Sequence, residues 1–126
     1  MIDAQELRIG NYLEHNKHGL IKVLGVKPHC DNHMIIHDDT WCYLTNCKPI
    51  PLTEQWLIDF GFEKFGDNSS FYLGCYEKGF TFDRYDSTQA RIWWRGRYLG
   101  ICQRLGSVHQ LQNLYFALTG KDLTKK

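Results

Sequence analysis

The stretch SVHQLQNLYFALTG at residues 107–120 constrains the fold most, because it is the clearest helix in the sequence. Ser107 is a favoured N-cap residue, Gln110 three positions later completes a capping box, and Gly120 supplies a left-handed C-terminal residue. Apolar residues at helical spacing form one stripe, made of Val108, Leu111, Leu114, Tyr115 and Leu118. Because a helix of about three turns is marginal in isolation, we expect the rest of the chain to provide the surface on which this stripe packs.

The length and composition indicate a single domain. A chain of 126 residues fits one domain, and a domain of this size buries roughly two-thirds of its unfolded surface without needing a metal or a disulfide. We expect two modules that share a core, an N-terminal β module at residues 1–48 and a helix–hairpins–helix module at residues 49–126. No apolar run approaches the roughly 20 residues of a membrane span, and the N-terminus lacks a signal-peptide pattern. The sequence therefore predicts a cytoplasmic protein without membrane contact, whose five cysteines are reduced.

Short strands separated by turns dominate the first module. The segment at residues 20–26 is rich in β-branched residues and predicts a strong strand, while residues 34–37 and 41–44 predict shorter ones. With the opening segment at residues 7–13, they suggest a small curled antiparallel sheet, for which an SH3-like barrel is one interpretation.

The second module combines helices and hairpins. Thr53 caps a short linking helix at residues 54–60, and Gly61 ends it. Four strands in two hairpins follow, at residues 71–76, 80–85, 90–94 and 97–103. Period-two alternation predicts that Ile92 and Trp94 share one face of the third of these strands. The predicted fold class is α+β, with antiparallel strands, a short linking helix and a C-terminal helix packed on the sheet.

Three segments together resemble a known protein family. They read ELRIGNY at residues 6–12, IPLTEQWLIDFGFEK at residues 50–64 and VHQLQNLYFALTGKDL at residues 108–123. The chain resembles a family of small uncharacterised proteins of Bacteroidota genomes and of their phages and prophages, whose pattern is ELRIGN, PIPLTEEWLLKFGFEK and VHQLQNLYFALTGKEL. Gln55 and Asp122 each stand where that pattern has Glu. The resemblance implies a bacterial or phage setting and supplies no activity.

Charge is distributed unevenly along the chain. Residues 91–126 carry seven basic and one acidic residue, whereas residues 1–90 carry eight basic and thirteen acidic ones. Alternation predicts Arg91, Trp93 and Arg95 on one strand face near a hairpin tip, with Arg97 beside them. Guanidinium groups bind phosphate and an aromatic face stacks on a base, so this pattern favours an anionic, nucleotide-like ligand. The alternative is that Trp93 packs under a helix while the arginines pair with acids of the first 90 residues.

A second stripe runs along the C-terminal helix. His109, Gln112, Asn113 and Phe116 share a face because their spacing is i, i+3, i+4, i+7. One interpretation is that these polar groups hydrogen-bond to the adjacent sheet and loops. The other is that they form the polar wall of a ligand pocket or a partner surface.

Metal binding and catalysis have little support in the sequence. The candidate ligands cluster between residues 29 and 47 and include Cys30, His33, His37, Cys42 and Cys47. Thiolate and imidazole suit zinc, but the irregular spacing favours ordinary loop histidines and reduced core cysteines, so no metal and no cofactor is predicted. No phosphate loop, serine elbow or marked nucleophile is present in the sequence, so no catalytic residue is assigned.

These patterns together predict a non-enzymatic binding protein of phage or mobile-element type. Its ligand would be an anionic nucleotide-like molecule, with nucleic acid included, or a host protein. The binding surface would combine the Arg/Trp hairpin with the C-terminal helix, and sequestration of a host nucleotide signal is an extension by analogy. The alternatives are a plain protein–protein interaction module and, third, a small enzyme. The sequence leaves the oligomeric state open, a homo-oligomer included.

Overall fold

The computed structural model describes residues 2, 4–29, 32–64, 70–73, 79–84, 90–95, 97–102 and 106–125. Its strands and helices are, in chain order, β1 (Tyr12–His15), β2 (Gly19–Lys22), β3 (Gly25–His29), β4 (Asn32–His37), β5 (Thr40–Tyr43), β6 (Cys47–Lys48), α1 (Glu54–Asp59), β7 (Glu63–Lys64), β8 (Ser70–Leu73), β9 (Phe80–Arg84), β10 (Ala90–Trp94), β11 (Arg97–Cys102) and α2 (Val108–Thr119). All strand pairs between these elements are antiparallel, and the last element is a helix. The predicted α+β fold is confirmed.

The strands of the first half form two three-stranded sheets, in the orders β2–β1–β6 and β3–β4–β5. The chain passes from one sheet to the other at Val23 and Leu24. The N–H of Val23 donates to Asn11 O at 2.8 Å, and the N–H of Leu24 donates to Ile36 O at 2.8 Å. The continuous strand predicted at residues 20–26 is therefore wrong, because its backbone changes partner and divides it into β2 and β3. Strands that switch sheets turn the corners of curled β structures, and the SH3-like arrangement stays a prediction.

Side chains from both three-stranded sheets meet in one buried cluster. Its members are Ile2, Leu13, Ile21, Val23, Ile35, Cys42, Leu44 and Cys47. Leu13, Val23 and Ile35 have no exposed surface. Each fully buried aliphatic side chain of this size stabilises the folded state by roughly 1.5–3 kcal/mol. The first half of the chain therefore has an apolar centre of its own.

The second half forms a five-stranded sheet in the order β11–β10–β9–β8–β7. Its four longer strands correspond to the four that were predicted, whereas β7 was not predicted. Ile92 is buried and Trp94 packs against the core cluster, which confirms their predicted shared face. The predicted turns at residues 77–79 and 95–96 lie partly outside the described residues, and Cys75 lies outside them.

The two helices begin and end as their sequences indicate. The Thr53 hydroxyl oxygen accepts a hydrogen bond from the N–H of Trp56 at 3.4 Å, which caps α1. In α2 the side-chain oxygen of Gln110 accepts from the N–H of Ser107 at 3.2 Å, as a capping box requires. Gly120 has a φ of 73°, and its N–H donates to Phe116 O at 2.8 Å. The predicted helix at residues 107–120 is confirmed.

The apolar stripe of α2 packs on the inner face of the five-stranded sheet. The buried cluster there includes Leu52, Leu57, Phe60, Phe62, Phe71, Phe80, Ile92, Val108, Leu111 and Leu123. Tyr115 meets Phe80 edge to face, with ring centroids 5.5 Å apart. Tyr12 of β1 also belongs to this cluster, so the first half of the chain contributes to the core of the second. The division into modules at residue 48 stays a prediction. Within the described residues, no helix is both long and apolar enough to cross a membrane.

Candidate functional site

The face of the five-stranded sheet opposite the core carries polar and aromatic side chains, and we call it the outer face. Register places Arg91 opposite Asp83, and Trp93 opposite Thr81 on one side and Tyr98 on the other. Residues directly opposite one another in antiparallel strands project from the same face. The outer face therefore brings Arg91, Trp93 and Tyr98 together, with the rings of Trp93 and Tyr98 5.3 Å apart.

Arg91 is neutralised within the protein. Its guanidinium forms a hydrogen-bonded ion pair with the carboxylate of Asp83, whose side chain is only 17% exposed. The same guanidinium lies 5.9 Å from the ring centroid of Trp93. Because Asp83 compensates the charge, Arg91 is a poor anchor for an additional anion, whereas Trp93 keeps a partly exposed aromatic surface.

Arg95 departs from the predicted stripe. Its φ is 54°, so the backbone leaves the extended conformation and the strand alternation stops at this residue. The guanidinium of Arg95 lies over Trp94, 5.2 Å from the ring centroid. Arg97 is the register partner of Trp94 and shares its side of the sheet. The prediction that Arg95 shares a strand face with Arg91 and Trp93 is therefore wrong, because the turn at Arg95 places it, like Arg97, beside Trp94.

Among the described residues, Arg95 and Arg97 are nevertheless the cations of this hairpin that no carboxylate compensates. Both side chains are exposed. No Asp or Glu of the described residues forms an ion pair with either of them, in contrast to Arg91 with Asp83 and Arg8 with Asp122. The end of the β10–β11 hairpin thus combines two open guanidinium groups with the partly exposed rings of Trp93 and Trp94.

The polar stripe of α2 is used inside the protein. Gln112 is 3% exposed. Its amide nitrogen donates to Gly10 O at 2.9 Å and to Leu123 O at 3.0 Å, and its oxygen accepts from the N–H of Tyr12 at 2.9 Å. This one side chain therefore joins α2 to the segment before β1, to β1 itself and to the C-terminal segment.

The neighbouring residues of the stripe extend the same network. Asn113 donates to Glu6 O and accepts from the side chain of Asn11 at 3.0 Å. His109 lies 3.2 Å from the Ser107 hydroxyl and 3.3 Å from the Glu6 carboxylate. Burial lowers the pKa of His109, and the hydrogen bond and charge of Glu6 partly oppose that shift. These contacts occupy the polar groups that were predicted as a possible pocket wall.

Phe116, at the exposed end of the stripe, also contacts another part of the protein. The guanidinium of Arg8 lies 3.6 Å from the ring centroid of Phe116 and forms an ion pair with Asp122 at 2.9 Å. A shallow groove of about 340 Å³ lies alongside, lined by Gln5, Glu6, Arg8, Gln110 and Asn113. The side chains around the groove belong largely to contacts that hold α2 to the N-terminal segment.

The candidate metal ligands that lie in the described residues do not assemble as a set. His33 and His37 are four residues apart on β4, which separates them by about 13 Å along an extended strand. Cys42 and Cys47 are buried with their sulfur atoms 3.6 Å apart, and Cys30 lies outside the described residues. Among the described residues, no three His, Cys, Asp or Glu side chains are arranged to hold one metal ion.

The two buried thiols are held in the protonated form. Burial raises the pKa of Cys47 to about 12, with Cys42 contributing in the same direction. Burial also raises the pKa of Cys42, against a smaller opposite effect of its hydrogen bond to Cys47. Since the thiolate is the nucleophile, this environment does not activate either sulfur.

The structure also assembles a histidine cluster that the sequence reasoning did not identify. The ring centroid of His18 lies 4.7 Å from that of His15 and 5.3 Å from that of His37, and the centroids of His15 and His37 are 6.1 Å apart. His15 and His37 are both buried. The sequence contains one signal that these two histidines are buried. His15 lies two positions after Leu13, and His37 two positions after Ile35, so each histidine shares a strand face with a buried apolar residue.

Comparison with known proteins leaves the function to be argued from this geometry. No family model, no curated protein and no solved structure matches the chain.

Proposed function

We propose that this protein is a non-catalytic binding protein whose β10–β11 hairpin binds an anionic, nucleotide-like ligand in the form of single-stranded nucleic acid. The observation that carries the proposal is the pair of exposed arginines, Arg95 and Arg97, beside the ring of Trp94 at the end of a hairpin whose outer face carries Trp93. The C-terminal helix is left out of the proposed contact surface, because its polar stripe is already hydrogen-bonded within the protein.

The described cations differ in whether a carboxylate already pairs with them. Arg8, Lys64, Arg91 and Lys125 each lie within 4.0 Å of a carboxylate oxygen, so a phosphate would have to compete with an existing partner. Arg95 and Arg97 have no such partner among the described residues. Guanidinium groups bind phosphate through paired, charge-assisted hydrogen bonds, and two neighbouring ones suit successive phosphates of one strand.

The outer face supplies aromatic surface for a base to stack on. Trp93 and Tyr98 lie side by side at a tilt of 52°, and Tyr98 is 51% exposed. Stacking of a base on an aromatic side chain contributes roughly 1–3 kcal/mol and is tolerant of sequence. A sheet face is open rather than enclosed, which favours an extended strand over a small nucleotide that needs walls on several sides.

The test measures binding of a fluorescein-labelled oligothymidine by fluorescence anisotropy at low salt. The double variant Arg95→Gln/Arg97→Gln should weaken binding by about tenfold or more, because two phosphate contacts are lost. The control, Lys27→Gln/Lys121→Gln, removes the same charge at two other exposed lysines and should leave binding within about twofold. Equal losses in both variants would show that only net charge matters and would contradict the proposed site.

Trp93→Leu separates stacking from charge in the same assay. This substitution should weaken binding by about tenfold at every salt concentration, because base stacking, unlike a phosphate contact, releases no counterions when it forms. Unchanged affinity in Trp93→Leu would remove the aromatic half of the proposal.

A plain protein-interaction module is the second candidate, and one observation favours it. β11 is an edge strand, and its Tyr98 and Leu99 are 51% and 47% exposed. Edge strands with exposed apolar side chains serve as pairing sites for other proteins. A partner retained in pull-downs at high salt, and lost in Leu99→Lys, would support this function over nucleic-acid binding.

A further inference from the structure

A cleft of about 360 Å³ opens in the first half of the chain, in a part of the protein that the hairpin proposal does not involve. It lies between the β1–β2 turn and the segment from β5 to β6. Its lining residues are His15, Asn16, Lys17, His18, Trp41, Cys42, Tyr43 and Asn46. The set combines hydrogen-bond donors on one side with aromatic surface on the other.

The charges around the cleft favour an anion. The lining residues include Lys17 and two histidines but no carboxylate. Burial lowers the pKa of His15, and its electrostatic interactions with His18, His37 and Lys17 lower it further. The carboxylate nearest to this cluster in the described contacts is that of Asp38, which is 90% exposed and 3.8 Å from Nδ1 of His37. A negative charge in the cleft would relieve the repulsion among these groups.

His15 is prepared to donate a hydrogen bond. Its Nδ1 accepts from the backbone N–H groups of Lys17 and His18, both at 3.1 Å. An imidazole nitrogen that accepts carries no proton, so the neutral ring has its proton on Nε2. His37 lies next to this arrangement with 1% exposure, and neither of its ring nitrogens has a hydrogen-bond partner among the described residues. The cluster therefore holds more imidazole donors than the protein itself satisfies.

The segment at β5 supplies aromatic surface to the cleft. Trp41 and Tyr43 meet edge to face, with ring centroids 5.1 Å apart and an interplanar angle of 80°. Trp41 is nevertheless 48% exposed, which is unusual for so large a ring. A ligand ring could therefore cover Trp41 and remove apolar surface from water.

We propose that this cleft binds a small organic anion that carries a flat ring, such as an aromatic carboxylate, with the anion on Lys17 and His15 and the ring on Trp41. The imidazoles act as hydrogen-bond donors to the ligand. The described residues contain no three-ligand arrangement around one metal position, so we do not assign the cluster to a metal.

The test uses benzoate and the full-length protein, followed by NMR chemical shifts of backbone amides and histidine ring protons. Benzoate should shift signals from the β1–β2 turn and β5. Acetate has the carboxylate but no ring, and benzyl alcohol has the ring but no carboxylate, so both should bind more weakly. Lys17→Gln should weaken benzoate binding by about two- to fivefold, the range for one exposed ion pair. Lys27→Gln, which removes a lysine that does not line the cleft, should leave the affinity unchanged.

A pH series adds a second readout. Benzoate stays ionised between pH values of about 6 and 8, whereas imidazole gains a proton in this range. His15 donates to the anion as a neutral ring, because its Nδ1 accepts two backbone N–H groups and burial lowers its pKa. Protonation at Nδ1 would break those two hydrogen bonds, so affinity should not rise as the pH is lowered through this range. The other titratable and charged groups around His15 are His18 and Lys17 in the turn, His37 and Asp38 at the end of β4, Cys42 and Tyr43 on β5, and Cys47 on β6.

Three results would overturn the proposal. One is equal binding of benzyl alcohol and benzoate, which would make the cleft a simple apolar surface. Another is an unchanged affinity in Lys17→Gln. The third is binding of Zn²⁺ to the three histidines without any response to benzoate. Arg95→Gln/Arg97→Gln should bind benzoate as the unmodified protein does, so this test and that of the hairpin fail independently.

Discussion

Replacing Gln112 by Met should destabilise the protein by about 3 kcal/mol. Met preserves the length and unbranched shape of the side chain but removes its amide. Three backbone groups then lose their partners: the N–H of Tyr12, the carbonyl of Gly10 and the carbonyl of Leu123. A hydrogen bond of this kind contributes about 1 kcal/mol net, and a buried group left without a partner costs at least that much.

The assay is urea unfolding followed by tryptophan fluorescence. The midpoint should fall while the slope with denaturant stays constant, since the folded protein buries the same surface. For 126 residues, a loss of 3 kcal/mol corresponds to a fall in Tm of about 10 °C. Gln55→Met is the matched control, because Gln55 is exposed and its amide bonds, within the described part of the chain, to Asp59 one helical turn away. Its effect should stay below about 0.5 kcal/mol. A loss below about 1 kcal/mol in Gln112→Met would refute the view that this amide joins α2 to β1.

The remaining predictions concern a helix end, a buried histidine and the thiol pair. Gly120→Ala should lower the free energy of unfolding in urea by about 1 kcal/mol, because the φ of 73° at the C-terminus of α2 is unfavourable for Ala. The native Ala117, which is exposed within the same helix, has no such conflict. The pKa of His109 is lowered in the folded protein, so the unfolded chain binds the proton more tightly. The contribution of the neutral His109 to stability is therefore present above a pH of about 6.5 and is lost as the pH falls towards the pKa of the folded state. His109→Gln should make the free energy of unfolding less dependent on pH in this range. With the pKa of Cys47 at about 12, the native protein should leave Cys42 and Cys47 unreacted with a thiol-specific disulfide reagent at a pH of about 8, and mass spectrometry of peptides should find them modified only after unfolding.

The C-terminal helix could be predicted because independent signals agree on the same residues. Ser107 and Gln110 mark its beginning, the apolar spacing sets its buried side and Gly120 ends it. Such agreement between local propensity and pattern is strong evidence for an element. The short strands β6 and β7 could not be predicted, because a strand of two residues shows no repeating alternation.

The candidate site was harder to predict because it depends on contacts between distant parts of the chain. Alternation placed Arg91 and Trp93 on one face, but it could not show that Asp83 would neutralise Arg91. It also continued through Arg95, where a left-handed φ redirects the side chain towards Trp94. The spacing of the α2 stripe predicted that its polar residues share a face. Which groups they bond, such as Gly10 and Leu123, depends on how the ends of the chain fold back on α2.

The histidine cluster illustrates the same limit. His15 and His37 lie on different sheets and more than twenty residues apart, so their proximity depends on how the two sheets close on each other. The candidate metal ligands of the sequence cluster between residues 29 and 47, and His15 and His18 lie outside that interval. Local spacing contains no information on contacts of this range.

The salt dependence of oligothymidine binding tests the central claim most directly. If Arg95 and Arg97 each neutralise one phosphate, the logarithm of the binding constant should fall with the logarithm of salt concentration with a slope of about −1.4 or steeper, since each contact on single strands contributes about −0.7. The slope of Arg95→Gln/Arg97→Gln should be shallower by about 1.4, and that of Lys27→Gln/Lys121→Gln should equal the slope of the unmodified protein. A slope near zero in the unmodified protein, or the same slope in both double variants, would contradict nucleic-acid binding at the β10–β11 hairpin.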